Sequence, residues 1–298
     1  MNYCVMLLCV QIMHTNIRHF YDTPPEQASM FASKTYWREF FNKPLYLGGR
    51  TPKAFWKRIG GVESGRWPHA SNQACEVITK PNDAGAGFYI YRFKYDPKTR
   101  IYTTMNTDGS LDNIPDTMSA NVWEAWVNST YQNVVVEEYI APKTGLPIHS
   151  LRILTLRVGA ESRYLSAALL VAPKDSISTA HCEVQPYRIQ KDFAHATCNP
   201  DADKKWLGTK IPDMEKMVAE CCAMHDKLPP GQIEVSWDIL LTDSHPVYLE
   251  GNIIPPGCDY KLMIFENDSN MMWFYCTYIK EIKRLEQQAK AAKRRSDY

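Results

Sequence analysis

Trp237-Asp238-Ile239-Leu240-Leu241-Thr242-Asp243-Ser244-His245-Pro246-Val247-Tyr248-Leu249-Glu250-Gly251-Asn252 holds two apolar runs around a polar centre. Thr242 to Pro246 is turn chemistry with β-type residues on both sides, so the stretch predicts a hairpin. Strand side chains repeat every second residue, which puts Glu250 and Asn252 on one face. Asp238 lies near the start of the first strand, opposite the end of the second. Three oxygen-bearing side chains then converge at one end of a sheet face. Such donors suit Mg²⁺, a hard ion held by one or two carboxylates and completed by substrate phosphates. The same pattern also fits a surface hairpin with solvated acids.

Three earlier segments bear on that choice. Glu76 to Gly87 begins as a short strand, reaches Lys80 and opens into a loop holding Gly85 and Gly87; a second β-rich run follows from Phe88 to Tyr95. Glycines let backbone N–H groups approach an anion, and Lys80 supplies a point charge. No Gly-Lys-Ser/Thr follows, so this is no Walker loop; an ordinary glycine hairpin is the other reading. Asn133-Val134-Val135-Val136-Glu137-Glu138-Tyr139-Ile140 predicts a buried strand whose end offers backbone groups to an adenine edge, or simply ends in solvent. In His149 to Val158, Arg152 shares a strand face with Leu154 and Leu156. A charge there needs an anionic partner. A phosphate suits the guanidinium fork, and so does a structural ion pair to one of the glutamates.

In this order the four segments resemble the ATP-grasp superfamily, over about Lys34 to Lys261. The likeness rests on Val-Ile-Thr-Lys-Pro with its glycine loop, Val-Val-Val-Glu-Glu-Tyr-Ile, Leu-Arg-Ile-Leu-Thr-Leu, and Trp-Asp with Glu-Gly-Asn twelve residues on. Ile148 to Thr155 is most similar to the sugar-transfer-associated branch, near α-L-glutamate-ligase-like proteins. The resemblance implies an α+β fold in which two subdomains with antiparallel sheets grip ATP. It divides the chain into an N-terminal segment 1–33, a part 34–140 with the nucleotide-binding small subdomain, and a part 141–298 with the metal site and a C-terminal helix. It assigns Lys34 and Lys80 to the phosphates, Gly85 and Gly87 to the covering loop, and Glu137, Glu138, Tyr139 and Ile140 to the adenine hinge. Arg152 would face the phosphates or an acyl phosphate. Asp238, Glu250 and Asn252 would hold Mg²⁺, with Mn²⁺ as a substitute. Only about thirty residues precede Lys34, which implies a shortened front region.

The implied reaction is ATP-dependent joining of a small-molecule carboxylate to an amine or saccharide acceptor through an acyl phosphate, releasing ADP and phosphate. A kinase of the same fold, a nucleotide-binding protein without chemistry, and a plain α+β binding module are the competing readings. His149, His181 and His195 are available for acid–base work, or are structural.

Composition narrows the rest. Lys+Arg 34 against Asp+Glu 33 gives a net charge of +1, which implies no nucleic-acid surface. Nine cysteines with no CxxC pair read as reduced thiols of a cytoplasmic protein, with Cys258 the one to test for reactivity. Tyr3 to Met13 is apolar but shorter than the roughly 20 residues of a membrane span, so no membrane partner is expected. Asn128-Ser129-Thr130 and Asn267-Asp268-Ser269 match the glycosylation pattern, which is short enough to recur by chance. Helices are predicted at Thr35 to Phe41, Met118 to Ser129 and Met214 to Lys227, where His225 reads as a helix-end residue, not a ligand. A last helix runs from Asn270 to Arg295, and its apolar front, Met271 to Tyr275, is either core or a homodimer face.

Overall fold

The computed structural model describes residues 30–43, 50–83, 89–107, 114–145, 149–158, 161–171, 185–189, 195–197, 211–229, 232, 234–253, 283–284 and 287. The fold is α+β, as the sequence predicts, and its two sheets are wholly antiparallel.

Helix α1 (Lys34–Phe41) comes first. Ser33 caps it, its hydroxyl accepting from the Tyr36 amide at 3.2 Å. Strands β1 (Ala54–Ile59), β2 (Val62–Gly65), β3 (Cys75–Pro81), β4 (Tyr91–Asp96), β5 (Ile101–Thr107), β6 (Thr117–Ser119) and β7 (Val134–Glu138) form one sheet, ordered β2-β1-β7-β3-β4-β5-β6. Gly60 and Gly61, at φ 58° and 80°, join β1 to β2 in the two-residue turn that needs positive φ at both places. Helix α2 (Ala120–Thr130) lays Trp123 and Val127 on Trp56, Val77, Phe93 and Tyr102. It begins later than its sequence suggests. Met118 pairs with Tyr102 and Ser119 with Ile101 in the ladder, so the helix starts only at Ala120.

Strands β8 (His149–Val158), β9 (Glu161–Val171), β10 (Gln185–Ile189), β11 (His195–Thr197), β12 (Glu234–Leu240) and β13 (Val247–Asn252) form the second sheet, ordered β11-β10-β9-β8-β12-β13. Helix α3 (Met214–His225) packs on β8 and β9 through Met214, Met217, Cys221 and Met224. The same core takes Trp37, Phe40 and Phe41 of α1, which share one helical stripe. Helix α1 therefore belongs by packing to the second sheet, although its nearest neighbours in sequence are the strands of the first. Trp37 meets Trp237 edge-on at 5.7 Å between centroids.

His225 confirms its structural reading. It is fully buried at the end of α3. Its Nε2–H donates to the Gln232 carbonyl at 2.8 Å, which leaves Nδ1 to accept from the Thr155 hydroxyl at 2.8 Å. Thr155 in turn accepts from the Trp237 indole at 2.9 Å. Burial lowers the ring to about 4, so it stays neutral. Cys75, Cys221 and Cys222 are free thiols. Among the described residues no helix is long and apolar enough to cross a membrane. Cys258, His181, the Tyr3–Met13 run and most of the expected C-terminal helix lie outside the described residues.

Candidate active site between the two sheets

Hairpin β12–β13 forms as its sequence predicts, with Asp238 opposite Glu250 and Ser236 opposite Asn252. Trp237 and its partner Gly251 turn to the core. A Cβ on Gly251 would stand 2.7 Å from Cη2 of Trp37, so only glycine fits beneath that indole. Alternation then sends Asp238, Glu250 and Asn252 to the opposite face. There the Asn252 amide donates to Asp238 Oδ2 at 3.0 Å and to Glu250 Oε1 at 3.4 Å. The three side chains converge.

Arg152 on β8 lies opposite Asp238 on β12. Its guanidinium grips that carboxylate with two bonds, Nε to Oδ1 at 2.6 Å and Nη2 to Oδ2 at 2.7 Å. An aspartate of the hairpin is thus an anionic partner of this arginine. Asp238 is buried. Burial pushes its carboxyl above the ordinary range, Arg152 pulls it back, and Glu250 adds to the rise.

The first sheet brings its own charges. Alternation on β3 turns Val77 and Thr79 into the core and puts Ile78 and Lys80 on the other face. Glu137 on β7 lies opposite Ile78, which makes it the diagonal neighbour of Lys80 on that face. Lys80 Nζ and Glu137 Oε1 form an ion pair. Glu137 Oε2 takes a second cation, Arg38 of α1. Glu137 is buried at 3% exposure, a carboxylate held by two cations. Burial lowers Lys80 well below its ordinary value; Arg38 and Lys34 add to the fall and Glu250 opposes it. That last effect comes from the other sheet, where Glu250 opposes the fall at Lys80.

Glu138 and Tyr139, expected at an adenine hinge, make bonds within the protein. The Glu138 amide donates to the Lys53 carbonyl at 2.9 Å, and its carboxylate accepts from the Lys53 amide at 2.8 Å. The Tyr139 amide donates to the Glu76 carbonyl at 2.9 Å, and the Arg92 guanidinium lies 3.5 Å above its ring centroid. Ile140 follows β7, half-buried. Lys34 opens α1, its amide bonded to the Asn82 carbonyl at 2.9 Å. Gly85 and Gly87 lie outside the described residues. His149 is buried and accepts from the Leu241 amide at 3.2 Å, a structural bond. His195 stands in β11.

Two cations beside these residues escaped the sequence reading. Arg38 sits in α1 among Trp37, Phe40 and Phe41, and a cation inside an aromatic run was its only trace. Arg92 gave no signal, since its stacking on Tyr139 depends on strand pairing.

The donor set fits a hard divalent cation. Two carboxylates face each other across the ladder with an amide between them, and like charges so placed repel unless a cation intervenes. Arg152 offsets one of them. A carboxylate has about four acceptor positions, so Asp238 keeps capacity beyond its bonds to Arg152 and Asn252. Among the described residues no three His, Cys, Asp or Glu side chains cluster as a metal cage. Two acids and an amide need further oxygens from a ligand, the pattern of magnesium carried on phosphates.

No family model and no curated protein matches the chain. Among solved structures it is similar to L-amino acid ligase from Bacillus licheniformis, at 13% identity and TM-score 0.41, covering 75% of this chain and 40% of that one. It is similar to D-alanine–D-alanine ligase from Bacillus anthracis, at 13% and 0.47, covering 87% and 69%. A third is the ATP-grasp ligase PsnB complexed with precursor peptide PsnA2 and AMPPNP, at 14% and 0.46, covering 88% and 62%. The chain thus spans less than half the length of the first of these.

Proposed function

We propose that this chain binds Mg-ATP between its two sheets and acts as an ADP-forming ligase of the ATP-grasp type. The observation that carries the reading is the convergence of Asp238, Glu250 and Asn252 beside Arg152, within the field of Lys80 from the other sheet. The order of the four sequence segments supports it independently.

In this reading Asp238, Glu250 and Asn252 would hold the magnesium, which would supply charge neutralisation for the phosphates when bound. Asn252 would turn its amide to present Oδ1. Lys80 and Lys34 lie toward the phosphates. Arg152 offsets charge on the transferring phosphoryl group, a role that positioned cations fill in phosphoryl transfer generally. The adenine edge falls to the backbone around Ile140, because the Glu138 and Tyr139 amides are already bonded within the protein. The substrate carboxylate attacks the γ-phosphorus as the bond to the β,γ-bridging oxygen breaks, which gives an acyl phosphate and ADP. An amine then displaces phosphate at the acyl carbon. The chain's part is positioning and charge neutralisation.

Thermal melting with ATP, ADP and AMP, with and without Mg²⁺, tests the binding step. ATP or ADP with Mg²⁺ raises the Tm, and Asp238→Asn or Glu250→Gln removes the metal-dependent part. A shift indifferent to Mg²⁺ in the unmodified protein refutes the metal site. ADP release that needs both a carboxylate and an amine identifies a ligase; release with a hydroxyl substrate alone identifies a kinase.

A further inference from the structure

We infer that Arg38 is a positioning residue for the phosphate-binding lysine. It shares Glu137 with Lys80 and so leaves net positive charge at the mouth of the nucleotide site. The inference rests on the Mg-ATP reading above and adds a residue that the motif order does not reach.

Three observations carry it. Glu137 is buried, and its two oxygens divide between two cations, Oε2 to Arg38 and Oε1 to Lys80. One carboxylate cannot neutralise two cations, so the trio carries one net positive charge whenever Lys80 is protonated. Second, Arg38 is fixed independently of Glu137. Its Nε donates to the Pro52 carbonyl at 3.0 Å, and the residue is 9% exposed. Burial brings the guanidinium down to about 10, which leaves it charged at neutral pH. Third, the helix that presents Arg38 is seated on the metal strand. Trp37, the preceding residue, covers Gly251 between Glu250 and Asn252, and α1 packs against β13. Helix α1 therefore sets the phosphate lysine of one sheet against the metal acids of the other.

The physical consequence has a definite sign. Without Arg38, Glu137 belongs to Lys80 alone, the pair is neutral, and the ammonium is drawn to the wall of the site. A triphosphate then meets less positive charge, whereas adenosine, which carries none, meets the same surface as before.

The test measures affinity for Mg-ATP and for adenosine in five proteins: unmodified, Arg38→Met, Arg38→Lys, Glu137→Gln, and the double variant of Arg38→Met with Glu137→Gln. Arg38→Met should weaken Mg-ATP binding about tenfold, the scale of one charge-assisted contact, and leave adenosine unchanged. The double variant removes one cation and its anion together, restores the net charge, and should recover most of the Mg-ATP affinity. A purely structural role lowers affinity for Mg-ATP and for adenosine alike, so the adenosine arm separates the two roles. Arg38→Lys keeps the charge without the fork and should lose only about threefold, which keeps the test available where the methionine variant fails to fold. Equal losses for Mg-ATP and adenosine, or a double variant weaker than Arg38→Met, overturn the inference. Unchanged Mg-ATP affinity in Arg38→Met overturns it while the functional reading stands. If the unmodified protein binds no nucleotide, both fall.

Discussion

Gly251 shows how much one position can decide. Its neighbours Glu250 and Asn252 face the site, and its own missing side chain makes room for the Trp37 ring. That ring cannot easily move, because its indole N–H is bonded to the Phe31 carbonyl at 2.8 Å and it packs edge-on against Trp237. Gly251→Ala should cost about 1–3 kcal/mol by overpacking, read from urea unfolding. Trp37→Phe removes the ring atoms nearest the added methyl, so the double variant should be more stable than the two single losses predict. Simple additivity would show that the steric account is wrong. None of this is visible in the letters Glu-Gly-Asn. The alternation that places the acids was legible there, because strand geometry alone fixes it. The bidentate Arg152–Asp238 pair was not, since it depends on β8 lying beside β12.

Among the elements, the α3 end and its histidine carry a pH signature. The folded state holds His225 neutral, lowered to about 4 by burial, whereas an unfolded chain takes up the proton near its ordinary value. Stability from this group is complete above about pH 6.5 and is lost as pH falls toward about 4, a change of about 3 kcal/mol. His225→Gln should flatten that part of the curve in urea titrations, and an unchanged slope would count against it. Helix α3 was readable from its apolar spacing and its Pro-Pro-Gly stop, and α1 from its aromatic stripe. What α1 packs against was not readable. Its sequence neighbours are strands of the first sheet, yet its stripe completes the core of the second, because Trp237 and Tyr248 supply the apolar wall there. Helix α2 misled by two residues, since Met118 suits a strand pairing with Tyr102 as well as it suits a helical turn.

At the scale of the molecule, two antiparallel sheets keep separate cores, one around Trp123 and one around Trp237, and α1 joins them through Arg38 and Trp37. Trp37→Ala should cost about 3–5 kcal/mol. Its effect on hydrogen exchange should be uneven, with amides of β8, β9 and β12 losing protection while those of β3 to β5 keep theirs. Uniform loss would mean the two cores unfold as one unit. The seat of the Trp37 ring on Gly251 has one more consequence. If the hairpin paired one residue out of step, Glu250 or Asn252 would come opposite Trp237 and be driven to the core face under the Trp37 indole. Such a molecule forfeits its second core, so mispairing is proofread by folding itself. A purified sample should then hold no well-folded fraction with its acids facing the wrong way, and a single set of amide resonances for Asp238 and Glu250 is the spectroscopic mark of that homogeneity.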